Sequence, residues 1–226
     1  CVGPPYESCN LWKDTGQEMT DLERAALLHI VAETPARLRQ ALKGVPKKLL
    51  LWTPGPGKWS ILEIVAHMRD MERDAYLTRY RRILSEDNPT LPDLDGDLIA
   101  IRDDYRGMKL SELLRDWLKT RKECLKLLKS VKGARWERSG VHETAGPLSM
   151  DDLLRRHAMG NDEAHLGQIE GIKKRAAAFD ALQAAPKKLA DVIADEFEVS
   201  RDEAWEDIRS FVAELLDADA VTVDAR

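Results

Sequence analysis

Apolar positions recur at alternating spacings of three and four residues in four long stretches, the periodicity of helices with one greasy face. The first stretch runs from about Thr20 to Leu42, and Pro35 is expected to break it or restart it after Thr34. Leu51-Trp52-Thr53-Pro54-Gly55-Pro56-Gly57 reads as a loop from its Pro and Gly content. Ser60 opens the second helix with Glu63 three residues later, a capping box in which each side chain satisfies the other's orphan N–H. Its stripe is Ile61, Ile64, Val65, Met68, Met71 and Ala75, and it should end near Ser85, ahead of Pro89 and Pro92. The third helix carries Leu110, Leu113, Leu114, Trp117, Leu118, Cys124, Leu125 and Leu128, and Gly133 ends it. Residues 134–147 form a long connection without a convincing hairpin signal. The fourth helix starts near Met150 and reaches about Phe179, with Leu153, Leu154, His157, Asn161, His165, Ile169 and Ile172 on a slowly drifting face. Four such stripes are buried together only by an all-α four-helix bundle.

Past Gln183 the pattern changes. Pro186 begins a short helix ending near Phe197. Ser200 and Glu203 repeat the capping-box spacing ahead of Trp205, Ile208, Phe211, Val212 and Leu215, and Val221-Thr222-Val223 fits one short strand. These residues can bury little apolar surface alone. The expected division is a leader over 1–18, the bundle over 19–183 and a small helical C-terminal extension over 184–226. Met19 opens the first periodic helix and offers a start for the folded part, which makes the residues before it a ragged leader.

Charge sharpens that division. From Asp191 to Arg226 there are 12 acids and 3 bases, which leaves 28 acids and 32 bases in the 190 residues before them. An acidic tail follows a mildly basic body, and the body's excess is too small for a nucleic-acid partner. Between Arg69 and Arg82 the arginines alternate with Asp70, Glu72 and Asp74, which reads as a salt-bridged helix face. No stretch is apolar for the ~18 residues of a membrane span, so no membrane partner is expected. Three cysteines make a poor disulfide framework, and with no signal peptide visible a cytoplasmic setting is expected.

Histidine is the residue to follow for chemistry. His67 lies beside the second helix's apolar stripe and His165 on the fourth helix's stripe, which also holds Asn161. Histidines on two facing helices of a bundle are a common way to hold a divalent metal, although a single core-facing histidine is more often just structural. Asp162 and Gln168 are candidates to orient such a site or to lie on a solvated helix face. His29 and His142 have no partner at useful spacing, Trp59 is expected to pack where the second helix begins, and Cys124 sits on a core stripe.

Two segments bear a family resemblance. Pro56-Gly57-Lys58-Trp59-Ser60-Ile61-Leu62-Glu63-Ile64-Val65-Ala66-His67-Met68-Arg69-Asp70-Met71-Glu72 resembles the first signature of the DinB-like superfamily. Asn161-Asp162-Glu163-Ala164-His165-Leu166-Gly167-Gln168-Ile169 resembles its second, written His-Asp-x-x-His-Leu-x-Gln-Ile. The resemblance covers about Met19 to Lys174. It implies a bundle that holds zinc or nickel on three histidines with open coordination positions, in a family that includes bacillithiol-dependent S-transferases and mycothiol-dependent isomerases. His67 matches the first ligand and His165 the third, but Asn161 stands where the second histidine belongs, and an amide oxygen is a poorer partner for these metals. His157 cannot replace it simply, since two helical turns put it about 12 Å from His165 along the axis. Asp162 could supplement the set, or the site could have lost its metal and kept a polar pocket.

The resemblance therefore implies a metal-dependent transferase or hydrolase acting on a small molecule or thiol, with a degenerate His67/Asn161/His165 site. The alternative is a non-catalytic binding or scaffold protein whose C-terminal helices mediate association, such as a homodimer. Leu189 to Phe197 and Glu203 to Leu216 also resemble the last two helices of PqqD-like peptide-binding domains, without the strands that precede them there.

Overall fold

The computed structural model describes residues 19–94, 99, 103–184, 194, 200, 202–208 and 210. The leader, the short helix after Pro186 and the strand expected at Val221–Val223 lie outside these residues. The chain divides into two compact units, residues 1–170 and 171–226.

Helix α1 spans Asp21–Leu42, capped by Thr20 and Glu23 in a reciprocal box. Pro35 does not break it. The ring removes the N–H that would have bonded Val31 O, yet the helix runs through, with Thr34 Oγ1 donating to Ile30 O at 2.8 Å. The freed carbonyl is taken by a side chain from another helix, described below. A short α2 (Lys47–Leu51) leads into the Pro/Gly loop.

The second long helix begins at Ser60, with the capping box formed as expected. It comprises α3 (Ile61–Asp70), a π-helical stretch (Met71–Leu77) and α4 (Thr78–Ser85). The third is α5 (Leu110–Ser130), which buries Leu113, Trp117, Arg121, Cys124 and Leu128. The fourth comprises α6 (Met150–Arg155), a second π-helical stretch (Arg156–Glu163) and α7 (Ala164–Ala184). A π turn closes its hydrogen bonds over five residues and so rotates less per residue. Neighbouring residues can then both face inward, and such turns are frequent at functional sites. In the second stretch, His157 and Ala158 are both buried, as are Asn161 and Asp162.

The connection after α5 corrects the sequence reading. Beyond a 3₁₀ turn at Gly133–Trp136 it forms a hairpin of β2 (Ser139–His142) and β3 (Gly146–Ser149), paired Ser139↔Ser149 to His142↔Gly146. β1 (Thr90–Leu91) adds parallel to β2 in register Thr90↔Val141, making a three-stranded sheet in the order β1-β2-β3. The fold is thus a four-helix bundle with a small sheet rather than purely helical. A Cβ at position 140 would come 2.7 Å from Pro89 O, so only glycine allows the two strands to approach there. Gly146 follows the turn at φ +74°, as three-residue hairpin loops require.

The core gathers Val31, Tyr80, Ile83, Leu91, Cys124, Leu128, Trp136, Leu148, Leu153 and Leu154, drawn from all four long helices and the sheet. Arg24 crosses from α1 to grip Asp151 through two bonds of 2.8 Å. Among the described residues, no helix is long and apolar enough to cross a membrane.

Candidate metal centre

His67 and His165 meet inside the bundle. Their ring centroids lie 5.0 Å apart at 76°, edge to face, and both rings are buried. Trp59 packs its ring 4.7 Å from that of His67, where the second helix begins. Burial, with His165 adding to it, holds the His67 imidazole well below its ordinary pKa. Burial lowers His165 as well, against an opposing hydrogen bond from Gln168. Both rings are therefore neutral near pH 7, the state in which an imidazole nitrogen has a lone pair to give. His165 Nδ1 lies 2.8 Å from Gln168 Oε1. With its amide oxygen toward the ring, Gln168 accepts the Nδ1 proton and leaves the lone pair on Nε2. Gln168 thus holds the His165 ring rather than pointing only to solvent.

Asn161, the third candidate, is 3% exposed and lies one turn before His165. Its Nδ2 donates to Asp162 Oδ1 at 3.0 Å. Asp162 is not placed as a spare ligand: its Oδ2 and Oδ1 accept from Arg121 Nη1 and Nη2 at 2.5 and 2.8 Å. Among the described residues no group of three His, Cys, Asp or Glu is placed to hold a metal.

Arg121, which the sequence reading did not single out, and Glu72, which it placed on a salt-bridged helix face, centre a second buried network. Arg121 is 1% exposed. Besides Asp162, its Nη2 donates to Glu72 Oε2 at 2.6 Å and its Nη1 to Val31 O at 2.9 Å, the carbonyl left open by Pro35. Its guanidinium carbon lies 4.8 Å over the Trp117 ring. Burial, the largest single influence, would raise the Glu72 and Asp162 carboxyls, but Arg121 and His157 together outweigh it and hold both below their ordinary values. His157 is committed here: Nε2 is 3.0 Å from Glu72 Oε2, Tyr80 Oη is 3.4 Å from Nδ1, and Tyr76 stacks on the ring at 4.1 Å. The salt-bridged helix face expected between Arg69 and Arg82 therefore forms its ion pairs partly at the surface and partly inside. Arg73 pairs with Asp74 at the surface, whereas Glu72 and Asp70 turn inward, and Asp70 accepts from Tyr105 at 2.7 Å. Position 121 falls in register with Trp117, Cys124 and Leu128, and position 72 one turn after Met68. A charged residue inside an apolar stripe was the available signal.

Cys124 is a free, fully buried thiol, and burial pushes its pKa well up, so it is not a nucleophile. His142 sits in the hairpin, where its Nδ1 accepts from the Thr144 and Ala145 amides at 3.4 and 3.3 Å.

The DinB superfamily model matches residues 30–169, more than half of the chain and both signature segments. The chain belongs to the DinB superfamily. Its fold is similar to that of YfiT from Bacillus subtilis, described as a probable metal-dependent hydrolase with an unusual four-helix bundle topology. The TM-score is 0.68 at 18% identity, over 74% of this chain and 94% of YfiT. No curated protein matches the chain in sequence. The superfamily match stops at residue 169 and lends no support to a PqqD-like C-terminal segment.

Proposed function

We propose that this superfamily member is a metal-dependent enzyme of the hydrolase or thiol S-transferase kind, with His67, Asn161 and His165 as its metal ligands. The observation that carries this reading is the meeting of two neutral, buried imidazoles, one with its tautomer fixed by Gln168. Two imidazole nitrogens and an amide oxygen fit a divalent cation of the zinc or nickel kind, held more loosely than three histidines would hold it. Such a metal supplies a positive charge that acidifies a bound water or thiol near neutral pH. The chain's own residues do the rest. Gln168 keeps the His165 proton on Nδ1, Trp59 covers the His67 ring, and the surrounding apolar stripe limits water around the donors. The description of YfiT as a probable metal-dependent hydrolase agrees with this reading.

A second reading has its own support. The lack of any three-residue His, Cys, Asp or Glu set among the described residues favours a binding protein that no longer holds metal. Metal analysis of tag-free protein purified without chelator, followed by zinc and nickel titration, separates the two. Weak, saturable binding that is lost in His67→Ala supports the enzyme. Complete indifference to both metals leaves the binding protein.

A further inference from the structure

We propose that Asp162, gripped by Arg121, is a positioning residue that turns the Asn161 carboxamide so that its oxygen, not its NH2, is offered to the cation. This inference rests on the reading above for the presence of that cation and adds what makes an asparagine able to serve there.

The two ends of a carboxamide have nearly the same shape, and only their partners tell them apart. Asp162 supplies the distinction. Both of its oxygens accept from Arg121 N–H groups in a two-pronged grip, the geometry in which a guanidinium holds an ionised carboxylate, and Oδ1 accepts from Asn161 Nδ2 as well. A carboxylate with no proton can only accept, so the end of Asn161 that faces it must be the NH2. The oxygen is then on the other edge of the amide, one turn before His165 on the same helix. Without Asp162 the amide could present its NH2, the positive end of its dipole, and repel a cation.

Asp162 is itself held from several sides. Arg121 cannot swing away without giving up Val31 O on α1, Glu72 on the second long helix and the face of Trp117. The π turn at Arg156–Glu163 lets Asn161 and Asp162, adjacent in sequence, both face the interior. Pro35, Arg121, Asp162 and Asn161 thus form one chain of dependence that ends at the candidate centre.

The test is a cycle of variants titrated with cobalt(II) chloride and followed by visible absorption. It uses the tag-free full chain as wild type, Asp162→Asn, Asn161→Ala and the double variant, with a thermal melt of each to establish folding. Asp162→Asn should weaken cobalt binding about tenfold or more. In the Asn161→Ala background it should change nothing further, because Asp162 would have no amide left to orient. Equal losses in both backgrounds, or no loss at all, overturn the inference while leaving the proposed metal site standing. A wild type that binds no cobalt overturns both. If Asp162→Asn does not melt cooperatively, Arg121→Lys, which keeps the charge but not the two-pronged grip, goes through the same cycle with the same expected outcomes.

Discussion

Asn161 decides how much metal chemistry this chain can support. Replacing it with histidine restores three nitrogen donors at positions where two imidazoles already meet, and the pocket should need no refolding to accept them. Asn161→His should bind zinc or nickel at least about tenfold more tightly than the wild type, measured by titration calorimetry. Equal affinities would mean that residue 161 does not face His67 and His165. At this scale the sequence was informative where residue type and spacing coincide: His67 and His165 interrupt apolar stripes, and the structure brings them together. It did not single out Arg121, and it read Glu72 as part of a salt-bridged helix face. Charged residues inside a stripe look like surface residues in any one helix, and only the facing helix shows that they answer each other. Asp162 illustrates the same limit, since its sequence position beside Asn161 suggested a ligand while its partner, 41 residues earlier, keeps both oxygens occupied.

Among the elements, α1 shows how a local rule can be met from a distance. An interior proline usually costs a helix about 3 kcal/mol, partly through the carbonyl it leaves unbonded. Here Arg121 Nη1 bonds Val31 O, so the penalty is partly offset. Pro35→Ala should therefore stabilise the protein by well under about 3 kcal/mol in chemical denaturation. The full gain would show that the Arg121 bond contributes nothing. The hairpin is the element least visible in sequence, because its strands have four residues each, Pro147 lies in one of them, and the register depends on the close approach at Gly140. It also contains a titrating group. Burial first, and Arg79 second, lower the His142 pKa below 6.5. The native state therefore takes up fewer protons than the unfolded chain, so the stabilisation is complete above about pH 6.5 and is lost as pH falls toward the folded value. His67 and His165 act in the same direction. Comparing His142→Asn with wild type isolates the hairpin's share: the thermal midpoint of the variant should fall less steeply between about pH 7.5 and 5.

For the whole molecule, the four helical stripes were legible because each is long and strongly periodic. Among the described residues, the central core cluster runs from Val31 to Ala158, with partly buried neighbours from Leu27 to Met159. Every one of these residues precedes the acidic C-terminal stretch. A chain ending at Gln183 should keep a cooperative thermal transition and its helical circular dichroism. Loss of that transition would show that the later residues complete the core.

The guanidinium of Arg121 also bears on the order in which the chain assembles. Its three charged and carbonyl partners are 90, 41 and 49 residues away, on three other helices. None of these bonds is worth its desolvation until all four helices are in place, so the cluster should close after the rate-limiting step rather than before it. Arg121→Lys should accordingly speed unfolding while leaving the refolding rate nearly unchanged, a pattern that the two limbs of a denaturant-dependent rate plot resolve directly. The charged knot would then act as a latch on the finished bundle, governing how long a folded molecule lasts more than how quickly one forms.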